Sequence, residues 1–306
     1  MTNVLHSPTT HTRATHHGSN ELDLARQVAL DAVHAAGALG REGVRDDLGV
    51  RGKGTKGDVV TDLDVRAERL ILRRIRVTFP DHRIIAEEAG LLDASDARWT
   101  WLVDPLDGTN NLAVGLPTYV IGMALCRDRV PVLGVVHDPV TGGTWHAARG
   151  AGAFGPESRP LRPPVRHDPA GPLLAWTQGY SVAKDDATAG AYKLVLDSAA
   201  RRFFQLWTPL LSLVMLARGD IDGMVGYHPE EIDLPAGALI ATEAGVALYG
   251  LDGAPFDQRI GRPTVDRSFV ACRPEHLDRL LGLVHLGERV EPEVKELLTR
   301  LPTNTW

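Results

Sequence analysis

Apolar runs of strand length alternate along this chain with segments whose apolar residues recur at helical spacing. The runs that predict strands lie at 99–103, 119–126, 130–137, 144–148, 173–177, 221–225 and 269–272. The segments that predict helices lie at 20–39, 61–79, 186–200, 210–218, 236–244 and 276–285. Because alternating strands and helices pack as sheets covered by helices, the sequence predicts an α/β protein built in layers.

A stretch dense in glycine and proline, residues 150–172, is the best candidate for a domain boundary. We expect one domain at 21–155 and a second at 156–306. Residues 1–20 are polar and rich in histidine and threonine, so a disordered tail is expected there. That tail lacks the apolar core of a secretory signal, and no apolar run reaches the ~18–20 residues that span a bilayer.

The composition excludes further classes of protein. The 306 residues carry 33 basic and 39 acidic side chains, a formal charge of −6, whereas nucleic-acid-binding proteins usually show a strongly basic face. Two cysteines, Cys126 and Cys272, are too few for a disulfide framework, so a reducing, cytoplasmic location is expected. Arginine supplies 28 of the 33 basic residues, which we interpret as the codon bias of a GC-rich bacterial genome.

Two carboxylates follow directly from the predicted strand at 99–103. Asp104 and Pro105 are expected to end that strand, and Asp107, Gly108 and Thr109 follow within the same turn. Acids at the carboxyl end of a strand project into a crevice, where α/β proteins place their sites, and two such acids can share hard cations. The spacing alone also suits an Asx-turn that binds nothing.

Other acids have simpler explanations. Thr61 and Asp64 have the spacing of a capping box that opens a helix. Solvation of a helix surface is enough to explain Glu21, Asp23, Asp31, Glu68 and Glu293.

Four acidic motifs in one order carry a family resemblance. They lie at 57–64, 86–90, 104–109 and 232–237, and a shorter one follows at 243–245. The set resembles the inositol monophosphatase superfamily of Mg²⁺-dependent, lithium-sensitive phosphatases, over about residues 22–273. The resemblance implies a layered αβαβα sandwich of the sugar phosphatase type, commonly a homodimer.

The resemblance also implies roles for the motif residues. The ligands of two or three Mg²⁺ ions would be Glu87, Asp104, Leu106 through its carbonyl, Asp107 and Asp233. Thr109 would orient the attacking water and be held by Asp64, which can serve as the capping acid as well. The N–H groups of Gly108 and Thr109 would hold the phosphate.

Two more residues enter by resemblance. Glu88 would be a supporting acid close to the metals, and Lys53 would lie on a mobile loop near the cleft. In this reading the first domain carries most metal ligands, and the second supplies Asp233 and the substrate pocket.

Elementary chemistry favours the same assignment. A phosphate monoester dianion repels hydroxide, so its hydrolysis needs cations that neutralise charge and lower the pKa of water. Carboxylates gathered without a metal would repel one another and raise their own pKa values. Cysteine and histidine are absent from the four motifs, which favours Mg²⁺ over Zn²⁺.

The sequence departs from inositol-specific relatives in the pocket. Gly226 stands where such relatives usually carry a glutamate that accepts hydrogen bonds from ring hydroxyls. Glu230 and Glu231 are near in sequence, but their spacing does not suit a simple replacement.

The segment before the helix at 210 departs as well, since it reads Trp207, Thr208 and Pro209. Trp207 and Pro209 would reshape the pocket, and Trp207 can stack on a ring. Trp207 and Thr208 are therefore candidate substrate contacts, whereas Trp101, Trp145 and Trp176 are expected to be packing residues.

The sequence thus predicts a phosphomonoesterase for a small polyol, sugar or cyclitol phosphate, with no nucleic-acid or membrane partner. A phosphatase for histidinol phosphate or another biosynthetic intermediate is the second interpretation. A third is a metal-binding regulatory protein with vestigial catalysis. Thr109 and Asp64 count against the third, because they serve chemistry rather than folding.

Overall fold

The structure is a computed structural model that describes residues 13–43, 48–53, 57–162 and 170–300, without the side chains of 13–19 and 41–43. Residues 1–12, part of the expected tail, lie outside these ranges. The rest of that tail differs from expectation, because helix α1 begins at Arg13 rather than after a cap at Asn20.

The described residues form seven α-helices and fourteen strands. The helices are α1 (Arg13–Gly43), α2 (Asp62–Thr78), α3 (Thr109–Ala113), α4 (Ala187–Ala199), α5 (Pro209–Arg218), α6 (Pro235–Glu243) and α7 (Leu277–Leu298). The first strands are β1 (Arg51–Lys53), β2 (Asp58–Val60), β3 (His82–Ala86), β4 (Gly90–Leu92), β5 (Asp96–Asp107), β6 (Val120–Arg127), β7 (Val130–His137), β8 (Thr144–Ala148) and β9 (Gly152–Phe154). The later strands are β10 (Leu173–Gln178), β11 (Arg202–Phe204), β12 (Gly223–Tyr227), β13 (Ala247–Tyr249) and β14 (Phe269–Cys272).

These strands build two large sheets and one hairpin. The seven-stranded sheet has the order β4-β3-β5-β6-β7-β8-β9, and only its β3–β5 pair is parallel. The five-stranded sheet has the order β11-β10-β12-β14-β13, with β10 parallel to both β11 and β12. Strands β1 and β2 pair with each other as an antiparallel hairpin.

Alternation along the strands places the helices in layers. In β5, Trp101 and Val103 pack with α1 and α2, whereas Leu102 between them packs with α5 and α6. In β10, Ala175 faces α5 and α6, and Trp176 packs with α4 and α7 on the other face. Side chains of a strand alternate between the faces of a sheet, so the five layers are α1–α2, sheet, α5–α6, sheet and α4–α7. The predicted αβαβα sandwich is confirmed.

Strand β5 continues past the residues expected to end it. It runs to Asp107, and its pairing with β6 is irregular between Asp104 and Asp107. Proline lacks an N–H for the ladder and is accepted within a sheet at such irregularities. Pro105 therefore does not end the strand but lies in a bulge, where the two acids are carried on a buried segment.

No helix among the described residues is both long and apolar enough to cross a membrane.

A close contact between β7 and α6 fixes the helix that follows Asp233. Gly134 in β7 lies directly under α6, and a methyl group on it would come within 2.6 Å of the Ala236 carbonyl oxygen. Backbone atoms of a packed helix cannot move aside as a flexible side chain can. The absence of a side chain at Gly134 thus sets the distance between the first sheet and α6.

We expect Gly134→Ala to destabilise the protein by about 2 kcal/mol, because overpacking against backbone forces the helix away from the sheet. Gly52→Ala is the matched control, since Gly52 is also in a strand and a methyl group there meets nothing within 4 Å. Urea denaturation measures both. Equal midpoints for the two variants would contradict this account of the α6 contact.

Candidate active site

The bulged end of β5 turns sharply into helix α3 at Gly108. Its φ of 108° lies in the left-handed region, which glycine adopts without steric cost. A methyl group here would lie 2.8 Å from the Thr118 carbonyl oxygen and 2.8 Å from Thr208 Oγ1. Only glycine fits this turn, and Thr109 begins α3 directly after it.

Asp64 both caps α2 and contacts Thr109, which are the two roles that the sequence analysis considered for it. It completes the capping box of α2, since its Oδ2 accepts hydrogen bonds from the Thr61 N–H, at 2.9 Å, and from the Thr61 hydroxyl. Its Oδ1 lies 2.7 Å from Thr109 Oγ1, which is also 2.9 Å from the Leu106 carbonyl oxygen. Asp64 is fully buried. The same carboxylate therefore starts a helix and holds the Thr109 hydroxyl.

The acids of β5 are buried and point toward other acids. Asp104 Oδ1 accepts a hydrogen bond from the Leu106 N–H at 3.0 Å, and Asp107 Oδ2 accepts one from the Leu210 N–H at 2.7 Å. Burial, and then the charge of nearby Asp233, raises the pKa of Asp107 well above its usual range. Leu210 belongs to α5, so this hydrogen bond joins β5 to the layer between the sheets.

Glu87 follows directly after the last residue of β3. Burial raises the pKa of Glu87 to about 7, although the charge of Lys53 opposes the shift. Burial and the charge of Glu87 raise the pKa of Asp104. For Asp233, the causes of the raised pKa are burial and the charges of Glu87 and Glu230.

The predicted metal ligands therefore lie close enough to interact, but they are not assembled as a ligand set. No three His, Cys, Asp or Glu side chains within the described ranges are arranged to hold a metal ion. Oxygens of Glu87, Asp104 and Asp107 are instead occupied by Lys53, Leu106 and Leu210. The donor chemistry still fits a hard divalent cation, because the cluster consists of carboxylates whose repulsion a cation would relieve.

Lys53 lies beside the cluster, as the resemblance implies. Its Nζ donates to Glu87 Oε1 at 2.8 Å and contacts Glu88 Oε1. The two carboxylates raise the pKa of Lys53 despite its partial burial, so it is charged. In this arrangement Lys53 is the cation that the two glutamates hold.

Glu68 is not a surface acid, contrary to expectation, because only 3% of the residue is exposed. Its carboxylate accepts hydrogen bonds from the N–H groups of Glu88, at 2.8 Å, and Ala89, at 3.0 Å. It thereby fixes the turn that presents Glu87. The sequence signal for this burial was the position of Glu68 four residues after Asp64, because that spacing places both acids on one face of α2.

The missing glutamate at position 226 has a steric explanation. A methyl group on Gly226 would lie 2.2 Å from a ring carbon of Phe269, so the phenyl ring fills the space of a side chain. Glu231 does not substitute, since its oxygens accept from the Gly261 N–H at 2.8 Å and contact Arg267. Glu230 is exposed, and its charge reaches Asp233.

The tryptophans considered in the sequence analysis differ in how far they are buried. Trp101, Trp145 and Trp176 are buried as expected, whereas Trp207 is 58% exposed and has a φ of 53°. Such a backbone conformation is strained for a bulky residue.

Thr208 is buried, and its role as a substrate contact stays a prediction. Its hydroxyl accepts from Asn111 Nδ2 at 2.9 Å and thereby holds α3. Pro209 occupies the first turn of α5, a position that proline tolerates.

The sequence did not reveal a polar contact beside the cluster. Asn110 Nδ2 donates to the Tyr180 hydroxyl at 2.7 Å. Burial and the negative charge of Asp58 raise the pKa of Tyr180, and Asp233 and Asp107 add to the shift. Nothing in the local sequence marks Tyr180, because its partners are far away along the chain.

The five-layer fold and the acidic cluster together define a class of proteins. Its members are αβαβα sandwiches with a carboxylate site next to the helices that lie between the two sheets. The sequence profile of the inositol monophosphatase family matches residues 21–285, and the chain belongs to that family. Members of the family are metal-dependent phosphatases, typically with Mg²⁺.

Individual relatives agree with this assignment. The Nus factor SuhB of Pasteurella multocida (strain Pm70) is 34% identical over 230 residues, 74% of this chain and 85% of the relative. The inositol-1-monophosphatase of Synechocystis sp. is 31% identical over 246 residues, 79% of this chain and 84% of the relative. The solved structure of inositol monophosphatase from Anabaena (Nostoc) sp. PCC 7120 has a TM-score of 0.72 and 26% identity, covering 87% of this chain and 96% of that one.

We expect the carboxylate cluster to make the metal-free protein less stable as the pH rises. Folding raises the pKa of Glu87 from its ordinary 4.5 to about 7, so the folded state binds the proton more tightly than the unfolded chain. The resulting stabilisation is complete below pH ~4.5 and is lost as the pH rises through ~7. Thermal unfolding in EDTA across this range measures the effect.

Asp104→Asn should make the melting temperature depend less on pH, because the substitution removes one repelling charge and the new amide can donate a hydrogen bond to Glu87. Asp93→Asn is the control: Asp93 is exposed, and the hydrogen bond from Arg83 lowers its pKa, so it titrates below this range. The same change of melting temperature with pH in wild type and Asp104→Asn would refute the assignment.

Proposed function

We propose that this protein is a Mg²⁺-dependent phosphomonoesterase that hydrolyses a small polyol, sugar or cyclitol phosphate with an activated water. The observation that carries the proposal is the Thr109 hydroxyl, held 2.7 Å from the buried carboxylate of Asp64 beside a cluster of acids. A threonine anchored this way is a means of orienting a water molecule. Its place next to four mutually repelling carboxylates is the second support.

The metal would be held by one group of oxygen ligands, namely Glu87, Asp104, the Leu106 carbonyl, Asp107 and Asp233. When bound, Mg²⁺ supplies charge neutralisation for the phosphate and lowers the pKa of a water molecule.

Thr109 and Asp64 would then orient the nucleophile. The neighbours of Thr109 Oγ1, namely Asp64 Oδ1 and the Leu106 carbonyl oxygen, both accept its single hydroxyl proton, so the lone pairs of Oγ1 remain to accept from water. Asp64 cannot turn away, because Thr61 holds its other oxygen. As the bond from the water oxygen to phosphorus forms and the bond from phosphorus to the ester oxygen breaks, the water proton would move to Thr109 Oγ1 and the Thr109 proton to Asp64. The departing alkoxide would take up a proton from solvent water.

The phosphate would be held by this chain's backbone and by one cation. The N–H groups of Gly108 and Thr109 start α3 and are the proposed donors. Lys53 would add positive charge at the edge of the cleft, where Glu88 keeps it in place. These groups would position the phosphate ester for in-line attack by water. The alcohol part of the ester would then point toward the five-stranded sheet.

The side of the site that would bind the alcohol differs from that of inositol-specific relatives. Phe269 fills the space at Gly226, so no acid accepts ring hydroxyls there, and Glu230 is the exposed acid left near Asp233. Exposed Trp207 favours a second candidate, a ring-bearing ester such as histidinol phosphate, because an indole can stack on an imidazole.

A third candidate follows from the relative named Nus factor, namely a binding protein without turnover. The Thr109–Asp64 contact weighs against it, since folding needs only the capping half of Asp64. A screen for phosphate release from polyol, sugar, cyclitol and histidinol phosphates, with and without Mg²⁺ and Li⁺, separates the three. Calorimetric Mg²⁺ binding without any turnover would favour the binding protein.

We expect Thr109→Val to lower kcat by about 10²–10³, because valine has the shape of threonine without its hydroxyl. Thr109→Ser keeps the hydroxyl and should stay within about tenfold of wild type. Phosphate release under saturating Mg²⁺ measures both, and circular dichroism checks their folding. Retention of more than half of the wild-type kcat in a folded Thr109→Val variant would refute the role of Thr109.

The homodimer implied by the resemblance remains part of the proposal, and light scattering of the purified protein tests it.

A further inference from the structure

Asp233 differs from the other acids of the cluster in how its side chain is held. The acids of β5 accept hydrogen bonds from backbone N–H groups, and Glu87 accepts one from Lys53. Within the ranges that the structure describes, no hydrogen bond or ion pair reaches the Asp233 carboxylate, and the charge of Glu87 repels it. The place of this carboxylate in the cluster is therefore set by the backbone that carries it.

The backbone at Asp233 is held from both sides. On one side the chain enters α6, whose first turn is buried. On the other side, the segment that follows β12 makes polar contacts with residues 257–268, a connection that we call the strap. At the start of this segment the His228 N–H donates to Ser268 Oγ at 3.0 Å, and its ring nitrogen Nδ1 lies 2.9 Å from Asp266 Oδ1.

Glu231 makes the contact with the strap that lies nearest to Asp233 along the chain. Its oxygens accept from the Gly261 N–H at 2.8 Å and contact the guanidinium group of Arg267. The Arg267 side chain is only 8% exposed, and it also donates to the Arg259 carbonyl oxygen at 2.9 Å. Because a charge removed from water is costly unless it is paired, Arg267 holds Glu231 more firmly than a surface arginine would.

The strap is in turn fastened to the seven-stranded sheet. Arg129, in the turn between β6 and β7, donates through Nε to the Ile260 carbonyl oxygen at 2.8 Å, and the Ile260 N–H donates to the Arg129 carbonyl oxygen at 2.9 Å. The guanidinium group of Arg129 also contacts the Gly261 carbonyl oxygen. Gln258 accepts from Arg149, which follows β8, at 3.1 Å and contacts α6. The strap thus lies against the sheet whose strand β5 carries the other aspartates of the cluster.

We propose that Glu231 is a positioning residue, which together with Arg267 fastens the backbone before Asp233 to the strap and so keeps the Asp233 carboxylate in the acidic cluster. Asp233 follows a strand of the five-stranded sheet, whereas Asp104 and Asp107 belong to the seven-stranded sheet. A cation that binds carboxylates from both sheets needs them at a fixed separation, and any freedom that it must remove weakens its binding. The consequence for Mg²⁺ rests on the proposed function, whereas the fastening itself does not.

Mg²⁺ binding to the substrate-free protein, measured by calorimetry, tests the role of the pair. We expect Glu231→Gln and Arg267→Gln each to weaken Mg²⁺ binding about tenfold, because the ion then has to bring the Asp233 carboxylate into place. The direction for Arg267→Gln is decisive, since the loss of a positive charge near the site would by itself strengthen the binding of a cation. The double variant should bind no more weakly than either single variant. Tighter or unchanged Mg²⁺ binding in a folded Arg267→Gln variant would overturn the proposal.

Asp257→Asn is the matched control for these substitutions. It removes one negative charge from the strap, and the contacts of the Asp257 side chain are with Arg259 and Arg262, within the strap itself. Mg²⁺ binding should therefore stay within about twofold of wild type. A tenfold loss in this variant as well would show that any loosening of the strap has the same effect, which contradicts the assignment to Glu231.

Hydrogen exchange without Mg²⁺ tests the fastening independently of the metal. In Arg267→Gln we expect the Gly261 amide to exchange about tenfold faster, because its acceptor Glu231 is no longer held. Glu231→Ala removes the acceptor itself and should give an increase at least as large, so the variants at Glu231 decide the matter if Arg267→Gln does not fold. Absence of Mg²⁺ binding in wild type would refute the proposed function and leave the exchange at Gly261 decisive. Unchanged exchange of this amide in the folded variants would overturn the positioning role.

Discussion

Repulsion between buried carboxylates is the constraint on which the rest of the structure depends. Two of these acids, Asp104 and Asp107, lie in β5, whereas Glu87 follows β3 and Asp233 precedes α6. The fold brings the four side chains together although their charges repel one another. Several local contacts offset part of this cost, namely two backbone N–H groups and the ammonium group of Lys53. If the acids lay far apart, these contacts would not be needed to offset the repulsion between them.

Much of the fold could be predicted from local patterns, because strand alternation, helical spacing and the capping box at Asp64 are written in neighbouring residues. The extension of β5 through Pro105 could not, since it depends on how β6 pairs with the bulge. Tyr180 was missed for a similar reason, as its hydroxyl contacts Asn110, which is 70 residues away along the chain. Glu68 was assigned to the surface although helical spacing from Asp64 placed it toward the site.

The pocket shows why membership of a family does not determine a substrate. Gly226 and Phe269 form one steric unit, in which the ring occupies the volume that a side chain at the other position would need. A change of specificity at this point would require both residues to change. Trp207, which is exposed and has a strained backbone, is a second departure from inositol-specific relatives. In the proposed function, the groups at Thr109 that would orient water are thus separate from the surfaces that would select the alcohol.

If the protein is the proposed phosphatase, the two oxygens of Asp64 link helix formation to catalysis and limit how the protein can evolve. One oxygen holds the cap of α2 and the other holds Thr109. A lineage that lost its substrate would still be selected to keep Asp64 for the helix, while Thr109 would be free to drift. Among descendants, an aspartate without its threonine would therefore mark proteins that gave up hydrolysis and kept the fold.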